Sequence, residues 1–141
     1  MQDLVRYLAE IVVPTVRDFE EHPTSVRHAF LACVATFHAV DYMAHPRSSR
    51  SLRQQWGRDS AAFFQVDRIA HAFKHVASQK GGNSLEARSI ISRPPAVAGL
   101  MESGLSLCGD AVGAVTLTED ITVNVLELVR QAVAFLHATT R

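Results

Sequence analysis

A short stretch in the first half of the chain carries residues whose types and spacing could do chemistry. His38, Asp41 and His45 are spaced i, i+3 and i+7, which places their side chains on one face of a helix. Asp41 falls in the middle of an apolar arc that includes Phe37 and Ala44. We therefore expect the Asp41 carboxylate to be buried and paired, because burying a bare carboxylate is very costly.

A second stretch carries a matching polar stripe. Asp67, His71 and His75 are spaced i, i+4 and i+8, and Lys74 shares their side of the helix. If the two helices pack together, both sets of side chains meet in one cluster. The buried carboxylate would then pair with a cation or a histidine of the neighbouring helix and fix the packing register, which is a structural role.

The same cluster is also suited to a metal. Metal sites in helical bundles are built from histidine and carboxylate ligands on facing helices. Such a set would suit Zn²⁺ in a tetrahedral site, or Fe or Mn in a more open one. No HExxH or ExxH pair is present, and the nearby lysine would repel a cation. The prediction for cofactors is therefore none, with metal binding left open through the ligands His38, Asp41, His71 and His75.

A third interpretation is a ribonuclease-like site. Arg68 and His75 are separated by six residues. A guanidinium grips phosphate and an imidazole titrates near neutral pH. A short helical bundle with this arginine-to-histidine spacing resembles the HEPN family of nucleotide-associated and toxin-like domains. The resemblance implies an all-helical fold, dimers and often metal-independent RNA cleavage, with Arg68 as the phosphate contact and His75 as the general acid/base.

A second resemblance covers the polar stretches themselves. The pairs Phe37-His38 and Asp41-Tyr42, followed by Ala72-Phe73-Lys74-His75, make the chain similar to small bacterial proteins of unknown function. This resemblance implies no particular activity.

Composition and charge limit the partners and the location. Lys+Arg and Asp+Glu are balanced at 14 each, whereas a nucleic-acid binder that relies on bulk electrostatics carries a basic excess. The basic run 47–58 around Trp56 could contact RNA by phosphate pairing and stacking, although such runs are more typical of solvated helix faces. No apolar stretch reaches the roughly 18 residues of a membrane span. Two cysteines without a secretory signal favour the cytoplasm.

The elements that must position these residues are mainly helical. Hydrophobic periodicity predicts helices over about 3–20, 24–44, 59–78 and 118–139, and a short helix within 47–58. Pro14 should kink the first helix or divide it into two pieces. Gly81-Gly82-Asn83 should end the helix that begins near residue 59. Two β-branched runs near 86–92 and 112–118 favour strands paired as a hairpin.

The sequence thus predicts one domain over residues 1–141, mainly α, as a bundle of four to five helices with a small β-hairpin or β-loop before the last helix. An apolar or alanine-lined helix face would make it a homodimer. A non-catalytic interaction or regulatory module is favoured, with RNA or protein as the partner. A HEPN-like RNA-binding domain or ribonuclease and a metal-binding bundle are the alternatives, so enzymatic activity stays open.

Overall fold

The computed structural model describes residues 2–79, 82 and 84–140. Five helical segments account for most of them, and two small antiparallel hairpins precede the last helix. This architecture confirms the predicted mainly α fold with a small β-element before the last helix. Within the described residues, no helix combines the length and the apolarity needed to cross a membrane.

The first helical segment continues through its proline. Helix α1 (Gln2–Tyr7) leads into a π-helical turn (Leu8–Val12), and α2 (Val13–Glu21) follows directly. Pro14 lacks an N–H, and its ring crowds the carbonyl one turn earlier in a regular α-helix. In the π turn the N–H just before Pro14 bonds the carbonyl of Leu8, five residues back. The chain therefore stays helical, and the predicted division into two pieces does not occur.

Three long helices and one short helix build the rest of the bundle. They are α3 (Val26–Ala44), α4 (Arg50–Asp59), α5 (Ala61–His75) and α6 (Val125–Thr139). Helix α5 is central because it packs against α3, α4 and α6. The polar residues that the sequence singles out on α3 and α5 therefore lie on two helices in direct contact.

Side-chain caps fix where the long helices begin. Ser25 accepts a hydrogen bond from the His28 backbone N–H at the start of α3, and Ser60 caps α5 in the same way. Such caps satisfy backbone donors that have no partner inside the helix. The last helix is capped by Asn124, so the predicted start near residue 118 is wrong by about two turns.

Helix α5 ends earlier than the sequence predicts. It stops at His75 because Val76 adopts a left-handed conformation with φ of 68°, which cannot continue a right-handed helix. The chain enters a short strand where a helix to residue 78 is predicted. Of the predicted stop at Gly81-Gly82-Asn83, residues 81 and 83 lie outside the described residues.

Two hairpins follow α5. Strand β1 (Ala77–Ser78) pairs with β2 (Leu85–Glu86), and β3 (Ile90–Arg93) pairs with β4 (Ala114–Leu117), both antiparallel. The β3–β4 pair confirms the predicted hairpin, with residue 90 opposite residue 117. The buried Arg93 guanidinium bonds Asp110 at 2.8 Å and so closes the long loop between these strands.

One connected cluster of buried side chains runs from α1 to α6. It includes the α3 alanines 29, 32 and 39, each fully buried within the chain. The predicted alanine-lined dimer face is therefore wrong, because these alanines already pack inside the bundle. A homodimer through another apolar face stays a prediction. Cys33 lies in this cluster, where burial raises the pKa of its thiol, whereas Cys108 is exposed.

Candidate functional site

Asp41, the predicted buried carboxylate, lies at the surface. Its side chain is 47% exposed, because α3 turns the face carrying Ala39, Val40 and Ala44 into the core. The apolar arc drawn from the sequence gives most weight to the large side chains of α3. The face that the structure buries most deeply is rich in small ones. The prediction of a buried Asp41 is therefore wrong, because the buried face of α3 is rotated about the helix axis from the face that the sequence predicts.

The buried carboxylate is Asp67 of α5. Its side chain is only 7% exposed. Arg53, which projects from α4, grips both of its oxygens: Nε to Oδ2 is 3.0 Å and Nη2 to Oδ1 is 3.0 Å. The Nε–Oδ2 contact is a hydrogen bond and the Nη2–Oδ1 contact is an ion pair, and such charge-assisted contacts are stronger than neutral ones. This pairing joins α4 to α5.

His71 completes this arrangement. Arg53 Nη2 lies 2.8 Å from His71 Nε2. Since a guanidinium can only donate, Nε2 must accept, and the ring proton then sits on Nδ1. Nδ1 faces the Asp67 backbone carbonyl at 3.1 Å. We call Arg53, Asp67 and His71 the buried triad.

Burial shifts the pKa values of His71 and Asp67. Burial, followed by the charge of Arg53, lowers the pKa of His71, although the Asp67 carboxylate opposes this shift. Burial raises the pKa of Asp67, with Arg53 and His71 opposing it. Both shifts follow from the removal of water, which disfavours the charged form of each group.

A second set of side chains lies closer to the surface, and we call it the exposed triad. His38 Nδ1 lies 2.8 Å from Asp41 Oδ2, and Lys74 Nζ lies 3.3 Å from His38 Nε2. A lysine ammonium can only donate, so Nε2 accepts and Nδ1 donates its proton to the carboxylate. Partial burial would raise the pKa of Asp41, but hydrogen bonds from Ser49 and His38 outweigh it and lower the pKa.

Phe37 stands between the two triads. The Arg53 Cζ atom lies 4.8 Å from its ring centroid, and Lys74 Nζ lies 6.0 Å from it. The ring also meets the His71 ring edge-on at 5.2 Å and the His38 ring at 5.0 Å. A π-face attracts both cations. The Phe37 ring thus contacts members of both triads.

The predicted metal ligands take part in different contacts. His38 and Asp41 belong to the exposed triad, whereas His71 faces Arg53, and the His75 ring centroid lies 5.6 Å from that of His71. Among the residues that the structure describes, no group of three or more histidine, cysteine or acidic side chains could hold a metal ion. The structure therefore does not bring the four predicted ligands together as a metal site.

The two residues of the predicted ribonuclease pair have different surroundings, because Arg68 is buried and His75 is exposed. The Arg68 side chain is 9% exposed, and its Nη1 is held by Glu119 at 2.9 Å. Its Nε and Nη2 atoms find no hydrogen-bond partner within the described part of the chain. His75 is exposed on the last turn of α5. A buried, ion-paired guanidinium is not open to a phosphate in this conformation.

Sequence reasoning missed Arg53 and Phe37 as members of the site. Arg53 lies in a basic run that is typical of solvated helix faces, and its partner Asp67 lies 14 residues away on another helix. A signal does exist, because positions 50, 53, 54, 57 and 58 form one helical stripe. Trp56 lies on another side of that helix, is only 4% exposed and packs against Phe63. It is therefore not available to stack on a base.

No protein-family model, curated protein or solved structure matches the chain significantly. The arrangement itself shows what the cluster can do. The hydrogen-bonding groups of the buried triad are largely satisfied by one another, which suits them to holding helices together. The exposed triad presents an oriented imidazole, an ammonium and a carboxylate at the surface, where they can meet a polar partner.

Proposed function

We propose that this protein is a non-catalytic binding module. Its buried triad fixes α4 against α5, and its exposed triad and neighbouring surface engage a partner. The observation that carries this proposal is the double contact of Arg53 with the Asp67 carboxylate and the His71 ring. Side chains that form hydrogen bonds with one another in a part-buried site stabilise the fold. The same side chains are poorly placed to act on a substrate.

The surroundings of Arg68 support a module without nuclease chemistry. Cleavage by an arginine–histidine pair needs the guanidinium to contact a phosphate while the imidazole moves a proton. Arg68 is instead paired with Glu119 across 51 positions of sequence, which ties α5 to the segment before α6. Exposing this guanidinium to RNA would require breaking that ion pair.

An RNA-degradation assay tests the proposal. A fluorescent single-stranded RNA is incubated with the wild type, His75→Ala and His45→Ala. The His45 variant is the matched control, because this histidine is also exposed but is not part of the arginine–histidine pair. We expect the same background turnover from all three proteins. A loss of turnover at least about tenfold in His75→Ala alone would contradict the proposal and favour the ribonuclease alternative.

A further inference from the structure

A second polar surface adjoins the buried triad, because Arg53 and Asp67 also line a pocket there. The helical stripe formed by Arg50, Arg53, Gln54, Gly57 and Arg58 faces a pocket of about 470 Å³ between α4 and α5, and Phe64 and Asp67 close it from α5. A pocket of this size falls in the range that holds small ligands. Three of its seven lining residues are arginines, in a chain whose net charge is zero.

The arginines of this pocket differ in what they already bind. Arg53 is committed to Asp67, so these two charges largely compensate each other. Arg50 and Arg58 are exposed, and neither side chain forms an ion pair within the residues that the structure describes. The pocket therefore keeps a surplus of about two positive charges, which matches the charge of about −2 of a phosphomonoester near pH 7.

Gly57 keeps the pocket open. It lies between Arg53 and Arg58 on the stripe, and a Cβ atom placed there would meet Phe64 Cδ2 at 3.6 Å. This is an ordinary contact, so the position tolerates alanine without strain. A larger side chain at this position would extend into the space between the arginines. The lack of a side chain at residue 57 thus leaves room for a ligand.

We propose that this arginine pocket binds a phosphorylated small molecule, with Arg50 and Arg58 contacting the phosphate and Gln54 and Phe64 contacting the remainder. Guanidinium groups suit this task because their planar donors match phosphate oxygens. The inference rests on the proposed function, since it names the ligand class of the same binding module. It concerns a surface separate from the exposed triad.

Calorimetric titration at constant ionic strength tests the inference. The probes are inorganic phosphate, a hexose monophosphate, the unphosphorylated hexose and a short single-stranded oligoribonucleotide. We expect the wild type to bind the hexose monophosphate more tightly than inorganic phosphate, and not to bind the hexose. Arg50→Gln/Arg58→Gln should weaken binding of the monophosphate at least about tenfold, because it removes both charge-assisted contacts to the phosphate.

Two further variants separate the pocket from general electrostatics. Arg47→Gln removes one charge from the same basic run but does not line the pocket, so it should bind like the wild type. Gly57→Leu keeps every charge and fills the space, so it should abolish binding of the monophosphate. Equal weakening by Arg47→Gln, or unchanged binding in the double variant, would overturn the inference.

The oligoribonucleotide tests whether the pocket binds RNA instead of a small molecule. Binding of the oligoribonucleotide without binding of either phosphate probe would overturn the small-molecule inference and assign the pocket to RNA. Such a result would leave the non-catalytic module intact unless His75→Ala also lost RNA turnover. Failure of the inference and failure of the proposed function are therefore distinguished by separate measurements.

Discussion

The buried and exposed triads use nearly the same side chains in opposite surroundings. Each contains one aspartate, one histidine and one cation, and both contact the ring of Phe37. The Asp67 side chain is 7% exposed, whereas that of Asp41 is 47% exposed. The pKa of Asp67 is raised and that of Asp41 is lowered. Similar residues on helices in contact therefore acquire different electrostatics from their depth and from the hydrogen bonds that their carboxylates accept.

This difference explains why the two triads suit different tasks. In the buried triad, desolvation makes each unpaired charge expensive, so the three groups depend on one another. In the exposed triad, water screens the charges, and each contact contributes little to stability. The first arrangement holds a scaffold, and the second leaves its groups available to a partner.

Removal of Arg53 should have the largest effect. Arg53→Met leaves the Asp67 carboxylate buried without its cation, and breaking a buried ion pair by removing one partner costs about 3 kcal/mol or more of unfolding free energy. Urea denaturation followed by circular dichroism measures this cost. The matched control is Lys74→Met, which removes a cation from the exposed triad and should cost less than about 1 kcal/mol. Equal losses in both variants would contradict the distinction between the triads.

The second-largest effect that we expect is a pH dependence of the unfolding free energy that arises from His71 of the buried triad. The pKa of His71 is lowered in the folded state, so the unfolded chain binds more protons between that pKa and the ordinary value of about 6.5. The unfolding free energy should therefore decrease as the pH falls below about 6.5. The raised pKa of Asp67 increases the unfolding free energy as the pH falls further. Variants are therefore needed to isolate the contribution of His71.

Denaturation of His71→Gln and His38→Gln between pH 8 and pH 5.5 isolates this contribution. The decrease in stability on acidification should be smaller in His71→Gln than in the wild type. His38→Gln is the matched control, because it alters the exposed triad and leaves all three groups of the buried triad in place. A wild-type slope in His71→Gln would show that His71 is not responsible.

The smallest effect is expected at Asp41. Asp41→Asn should change the unfolding free energy by less than about 1 kcal/mol, because the carboxylate is nearly half exposed. It should nevertheless alter the His38 ring, since the uncharged carboxamide oxygen is a weaker acceptor of the Nδ1 proton than the carboxylate. Nitrogen chemical shifts of the His38 ring report its tautomer. Unchanged shifts would contradict the hydrogen bond that defines the exposed triad.

The sequence predicted the helices better than it predicted the contacts between them. Periodicity located α3 and α5 and placed their polar residues on faces that meet, because helical spacing is a local property. It assigned the wrong aspartate to the interior, since the deepest face of α3 is rich in small residues with weak apolar signals. Arg53 was missed because its contact with Asp67 depends on how α4 packs against α5.

The end of α5 shows a second kind of limit. Helix α5 ends because Val76 adopts a positive φ, although this conformation is unfavourable for a β-branched residue. No local pattern predicts this conformation. It becomes understandable only with the hairpin in place, where the Val76 carbonyl accepts a hydrogen bond from the Ala87 N–H. Tertiary contacts thus outweigh the local preference of the residue.

The contrast between the two thiols gives the molecule a built-in reporter. Cys108 is exposed on the long loop, whereas Cys33 of α3 lies in the core, where burial disfavours its thiolate. An alkylating reagent should therefore label one sulfur promptly and reach the other only when the bundle opens. The rate at which Cys33 is alkylated after Cys108 therefore measures how often α3 opens in buffer without denaturant.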